Sequence, residues 1–158
     1  MNAGAVGKMC AEVDRAYLAG LIDGDGCIMA TIERHSEKKF GFRVRISVKI
    51  TQKESNLVSS LAKQFGMGKI RRNRTTFDWV IRNKDDVLKI LNVINPYTKS
   101  KIKQVMLARR ILSSSDATEQ GLIKMARLAD SLARFNVRSK ERRTNFVSMI
   151  KAPISSND

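Results

Sequence analysis

The 158-residue chain is poor in the residues that build metal cages and covalent staples, with one histidine (His35), two cysteines (Cys10 and Cys27) and two prolines. A single histidine excludes zinc fingers, two-histidine metal sites and histidine-rich nuclease centres by count. Two cysteines exclude a disulfide framework and read as reduced thiols of an intracellular protein. No apolar run approaches the roughly 18 residues a membrane span needs, and residues 1–10 lack the apolar segment of a secretory signal. The expectation is a soluble protein of a prokaryotic cytoplasm or an organelle, without a membrane partner. Acid is scarce too: 15 Asp and Glu face 30 Lys and Arg, a net charge of +15. A chain this basic repels itself unless a polyanion is its normal partner, so nucleic acid comes first. An anionic membrane fits less well, because the basic residues fall on strand patterns rather than along an amphipathic helix. What the chain does have is 42% apolar residues, enough at this length for one domain with its own core.

Residues 1–9 read as a Gly/Ala leader, 10–136 as one domain and 137–158 as a basic tail. Val13, Tyr17, Leu18 and Leu21 recur at helical spacing from about Cys10 to Ile22, and Asp23-Gly24-Asp25-Gly26 ends that pattern. A strand is predicted from Gly26 to His35. The clearest strand is Gly41 to Thr51, where Phe42, Val44, Ile46, Val48 and Ile50 alternate with Arg43, Arg45, Ser47, Lys49 and Thr51. A helix over 54–65 stops at Gly66. Strands 69–72 and 76–82 follow, then a helix capped by Asn83 and ended by Pro96, and two more helices over 100–112 and 118–136. The order α-β-β-α-β-β-α with extra C-terminal helices predicts an α+β fold.

Projecting the polar members of the strands gives one surface: Thr31, Glu33 and His35; Arg43, Arg45, Ser47 and Lys49; Lys69, Arg71 and Asn73; Thr76, Asp78, Val80 and Arg82. Cations alone would grip phosphates without regard to sequence. Arg, Asn, Thr, Asp and Glu together have the donors and acceptors to read base edges in a major groove. The plainer alternative is the solvated face of a half-buried antiparallel sheet.

Two helix ends carry charge of the wrong sign. Asp23 and Asp25 sit at the negative pole of the first helix, where a carboxylate costs up to about 1 kcal/mol. A bound cation would explain them; so would an ordinary turn. An EF-hand loop would not, since its fifth and twelfth positions would be Cys27 and Arg34. Lys99, Lys101 and Lys103 crowd the positive pole of the helix beginning near Ser100, either as a solvated cluster or as a place for phosphate.

The run Leu18-Ala19-Gly20-Leu21-Ile22-Asp23-Gly24-Asp25-Gly26 closely resembles the LAGLIDADG motif, with Gly24 in place of the motif's second alanine. Together with the element order, it resembles the single-motif, homodimeric branch of the LAGLIDADG homing endonucleases. That resemblance implies a curved four-stranded antiparallel sheet forming a DNA-binding saddle. It implies a metal-dependent double-strand break with 3′ overhangs in a long, near-palindromic target. Asp25 would be the metal-binding carboxylate, with the Gly24 carbonyl as a further ligand, and Asp23 would shape the turn. Mg²⁺ suits such oxygen ligands, with Mn²⁺ or Ca²⁺ able to substitute for binding. Gln52 would order water at the scissile phosphate, and Lys101 would stabilise charge, with Lys99 and Lys103 as alternatives. Asn56 stands where relatives often carry a basic residue. Ala16, Ala19 and Gly20 would bring two motif helices together in a homodimer. Lys140, Arg142 and Arg143 would hold phosphates at the edges, or form a solvated tail. The same family also implies an alternative as an intron RNA maturase, and loss of chemistry would leave a sequence-specific DNA-binding protein.

Overall fold

The computed structural model describes residues 11–136 and 145–152. Helix α1 spans Glu12–Asp25, so it runs through the two aspartates instead of ending at Ile22 as the spacing suggested. It stops because the backbone turns extended at Gly26, whose N–H still closes onto the Ile22 carbonyl. A Cβ on Gly26 would lie 2.7 Å from Ile22 Cα and 2.8 Å from its oxygen, so only glycine lets the chain leave the helix here.

Four strands follow in antiparallel pairing: β1 (Gly26–Arg34), β2 (Phe42–Gln52), β3 (Lys69–Asn73) and β4 (Thr76–Ile81), in spatial order β1-β2-β4-β3. The alternation of β2 becomes two faces, as expected. Ile28, Ile46, Val48, Ile50, Trp79 and Ile81 are buried on one side. Against them pack α2 (Ser55–Phe65), α3 (Lys84–Ile94), α4 (Ile102–Leu112) and α5 (Glu119–Asn136). Those helices contribute Val58, Val87, Ile90, Leu91, Val105, Ile111 and Leu122, and α1 adds Leu18. Each fully buried aliphatic side chain of this size stabilises by about 1.5–3 kcal/mol. The opposite face of the sheet carries no described helix.

Local chemistry fixes the joints. The Trp79 indole N–H donates to the Met67 carbonyl at 2.8 Å, and the ring lies against Gly68, which holds φ +80° and has no room for a Cβ. Asn83 caps α3 through the N–H groups of Asp85 and Asp86, as its sequence position predicts. The stretch expected to trail off as a basic tail contains a short helix, α6 (Phe146–Lys151). The Asp130 carboxylate holds its start, accepting from the N–H groups of Phe146 and Val147 at 2.7 and 3.3 Å. Phe146 is buried against the core. No described helix is long and apolar enough to cross a membrane.

Candidate functional site

The two helix ends of unfavourable charge meet each other. Asp23, in the last turn of α1, places its carboxylate at the start of α4. It accepts from the backbone N–H groups of Lys99, Ser100 and Lys101 at 2.7, 3.3 and 3.3 Å and from the Thr98 hydroxyl. In return, the Lys101 ammonium donates to the Asp23 backbone carbonyl at 2.8 Å, one of the carbonyls a helix leaves without an internal partner. An acid thus answers the positive pole of α4 and a cation the negative pole of α1. Partial burial pushes the Asp23 carboxyl up, but the bonds from Thr98, Lys99, Ser100 and Lys101 outweigh it and hold its pKa below the usual 3.8. The expectation that Asp23 shapes its own turn is therefore corrected: its side chain serves another helix, 75 or more residues away.

Among the described residues, this leaves Asp25 as the acid at the helix end without an ion-pair partner. It is exposed, and among the described residues its side-chain partner is Gln52, the last residue of β2, whose amide Nε2 donates to Oδ2 at 2.8 Å. Gly24, also exposed, contributes a carbonyl in the same last turn, and a Cβ there would meet nothing. Among the three lysines, only Lys101 turns toward α1. Lys103 places its ammonium 5.9 Å from the centre of the Phe135 ring, and Lys99 is exposed. Cys27, next to the motif, is half-buried; burial pushes its thiol up, while the charges of Lys49 and Lys101 pull the other way. Asn56 is exposed in the first turn of α2. Among the described residues, no three His, Cys, Asp or Glu side chains gather as a metal cage. A metal here would rest on the Asp25 carboxylate, the Gly24 carbonyl and oxygen ligands from outside this chain. The donor set, an exposed carboxylate and a carbonyl, fits a hard cation such as Mg²⁺ or Ca²⁺.

The strand registers place the projected residues together on the open face. Thr31 lies opposite Arg45, Glu33 opposite Arg43, Lys49 opposite Val80, and Val80 opposite Lys69. Arg71 lies opposite Asp78, and Asn73 opposite Thr76. Glu33 accepts from Arg43 at 3.1 Å; that bond, aided by the charges of Arg45, Arg43 and Arg82, outweighs slight desolvation and lowers its pKa. Thr31, Lys69, Arg71, Asn73 and Arg82 are exposed, and Arg43, Arg45 and Lys49 half-buried. His35 stands past the end of β1, in the turn its N–H closes onto the Gly41 carbonyl. Three members differ from the expected surface. Ser47, Asp78 and Val80 are buried. The Asp78 carboxylate takes the Thr51 hydroxyl at 2.6 Å and the Asn73 amide at 3.4 Å, with Lys49 at 3.9 Å. It organises polar neighbours instead of standing free. Sequence reasoning omitted Cys27, Met29 and Thr51 from this face, although strand parity places them there: Met29 lies opposite Ser47, Cys27 opposite Lys49 and Thr51 opposite Asp78. Lys140, Arg142 and Arg143 lie outside the described residues.

Beside the site, α1 presents an uncovered stripe. Val13 and Tyr17 are 78% and 53% exposed, and Ala16, Gly20 and Gly24 continue the row at helical spacing. Ala19 is not part of it. It is fully buried in its own chain, because its position in the helix faces the core with Leu18 and Ile22.

An open sheet lined with cations and hydrogen-bonding groups, with an exposed carboxylate at the adjoining helix end, defines a protein built to lie along a polyanion. Residues 18–112 match the family model described as LAGLIDADG endonuclease, and the chain belongs to that family. It is 29% identical over 133 residues to DNA endonuclease I-CreI of Chlamydomonas reinhardtii, covering 81% of each protein. To DNA endonuclease I-CvuI of Chlorella vulgaris it is 28% identical over 122 residues, 74% of this chain and 76% of that one. The crystal structure of homing endonuclease I-CvuI in complex with its target in the presence of 2 mM Ca has a similar fold, with a TM-score of 0.79 at 26% identity over 89% of this chain and 91% of that chain.

Proposed function

We propose that this protein is a site-specific DNA homing endonuclease that acts as a homodimer, makes a divalent-metal-dependent double-strand break and leaves 3′ overhangs. The observation that carries the reading is the exposed Asp25 carboxylate at the end of α1, hydrogen-bonded to Gln52 and adjoining the corner where Lys101 is held. A protein that only bound DNA would have no use for an uncompensated acid at a helix's negative pole. The family membership and the relatives named as DNA endonucleases support the same reading.

In this account Asp25 and the Gly24 carbonyl would hold Mg²⁺, with further oxygen ligands supplied by the DNA and by a second copy. When bound, the metal acts as a Lewis acid toward the phosphate and makes water a better nucleophile at neutral pH. The chain's own groups do the rest. Gln52 fixes one Asp25 oxygen with its amide N–H and keeps its carbonyl oxygen available to orient a water. Lys101 supplies positive charge where negative charge develops on the phosphate. The uncovered stripe of α1, with Ala16 and Gly20, brings two copies together, and two-fold symmetry makes the target near-palindromic. Each open sheet lies in the major groove of one half-site. Two copies carry +30, from +15 each. A duplex of about twenty base pairs presents more phosphate charge than that.

The test is cleavage of a plasmid library carrying randomised near-palindromic inserts, with Mg²⁺ or with EDTA, followed by sequencing of the linearised ends. The protein cuts a subset of inserts in Mg²⁺ alone and leaves 3′ overhangs. Asp25→Asn binds the selected duplex with undiminished affinity and does not cut it. Cleavage by that variant would remove the proposed metal site. Binding without cleavage by the unaltered protein would support the binding-only alternative, and acceleration of intron splicing the maturase.

A further inference from the structure

The first aspartate of the motif has a role distinct from the second. The start of α4 lacks a cap of its own: Lys101, at the N-cap position, makes no side-chain capping bond. Three lysines within residues 99–103 repel one another at the helix pole least suited to them. What holds this turn is Asp23, whose two carboxylate oxygens are shared among three backbone N–H groups and the hydroxyl of Thr98, itself buried. The Ser100 hydroxyl adds a bond to the Asp23 carbonyl at 3.2 Å. With the turn fixed, Lys101 folds back so that its ammonium reaches the same carbonyl, two residues from Asp25.

We infer that Asp23 is a positioning residue for Lys101: its carboxylate fixes the turn over 98–101 and thereby aims the lysine at the corner that Asp25 occupies. Asp23 itself touches neither metal nor DNA, because its oxygens are already engaged. Thr98 is the second half of the device. The inference rests on the nuclease reading for its consequence, but the positioning itself is a property of the protein without DNA.

The experiment has two arms. In the first, single-turnover cleavage and DNA affinity are measured on an insert selected by the unaltered protein, for Asp23→Asn, Lys101→Met and the double variant. Misplacement of a catalytic group by about 1 Å costs on the order of 100-fold, so Asp23→Asn slows cleavage about 10- to 100-fold with affinity unchanged. In the Lys101→Met background the same change costs less than about twofold, since coupled residues are not additive. Thr98→Val, which keeps the backbone bonds, falls between and guards against a folding defect in Asp23→Asn. Equal slowing in both backgrounds would overturn the inference. The second arm needs no activity: ¹⁵N NMR of the Lys101 ammonium, assigned by its loss in Lys101→Arg. The group exchanges its protons slowly in the unaltered protein and about tenfold faster in Asp23→Asn and Thr98→Val, the equivalent of losing one net hydrogen bond. Unchanged exchange would overturn the inference. Absence of cleavage by the unaltered protein with this NMR signature intact would instead refute the nuclease reading alone.

Discussion

At the residue scale, Asp78 and Asp23 show carboxylates spent on structure in a chain with few of them. Asp78 gathers Thr51, Asn73 and Lys49 beneath the open face. Removing one partner from a buried polar set costs about 1–3 kcal/mol, so Asp78→Ala lowers the urea-unfolding free energy by that amount. A variant as stable as the parent would contradict the network. Asp23 gives a pH dependence whose sign follows from its lowered pKa. A carboxylate stabilised by folding contributes fully above its ordinary value of 3.8 and loses that contribution as pH falls through the lower folded value. The gap in melting temperature between the parent and Asp23→Asn therefore closes on acidification below 3.8, measured by thermal melts across that range. A constant gap would assign the stability elsewhere. Neither role was legible in the sequence: the strand pattern put Asp78 on the correct face but not under its neighbours, and the partners of Asp23 lie 75 to 78 positions away. The wrong-signed charges at the two helix ends were legible. What they lacked was the fact that each end is the other's counter-charge.

Among elements, β2 was the most legible because strict alternation admits one geometry, and its register then places every neighbouring strand. Helix boundaries were less so. Two acids and two glycines at the end of α1 read as a stop, yet the helix runs on through Asp25, with Asp23 compensated by the start of α4. Helix α6 was hidden by its length, six residues with little periodicity, and depends on Asp130 from α5. The joint between α1 and β1 is the element-scale hinge of the account. Gly26→Ala drives a Cβ into the Ile22 backbone, 2.7 Å away, and overpacking of that kind costs about 1–3 kcal/mol. Its melting temperature falls, and cleavage falls further than stability alone explains, since Asp25 precedes the joint. Parent-like cleavage by this variant would show that the joint does not set the site.

For the whole molecule, the charge of +15 and the exposed stripe of α1 make separate demands, which the proposed homodimer meets with DNA for the first and a second copy for the second. A Cβ at Gly20 meets nothing within its own chain. Gly20→Leu is thus neutral or slightly stabilising for the isolated chain, because glycine costs a helix interior about 1 kcal/mol relative to better formers. The same leucine holds two α1 helices apart. The proposed homodimer predicts that the parent sediments as a dimer and Gly20→Leu as a folded monomer; a dimeric variant would contradict the interface. The most direct measurement of all is a crystal structure of the protein on its selected duplex with Mn²⁺, read by anomalous scattering. The account predicts two copies on one duplex, with α1 against α1 and metal bound to the Asp25 carboxylates of both. A single copy on the DNA, or metal sites remote from Asp25, would contradict it.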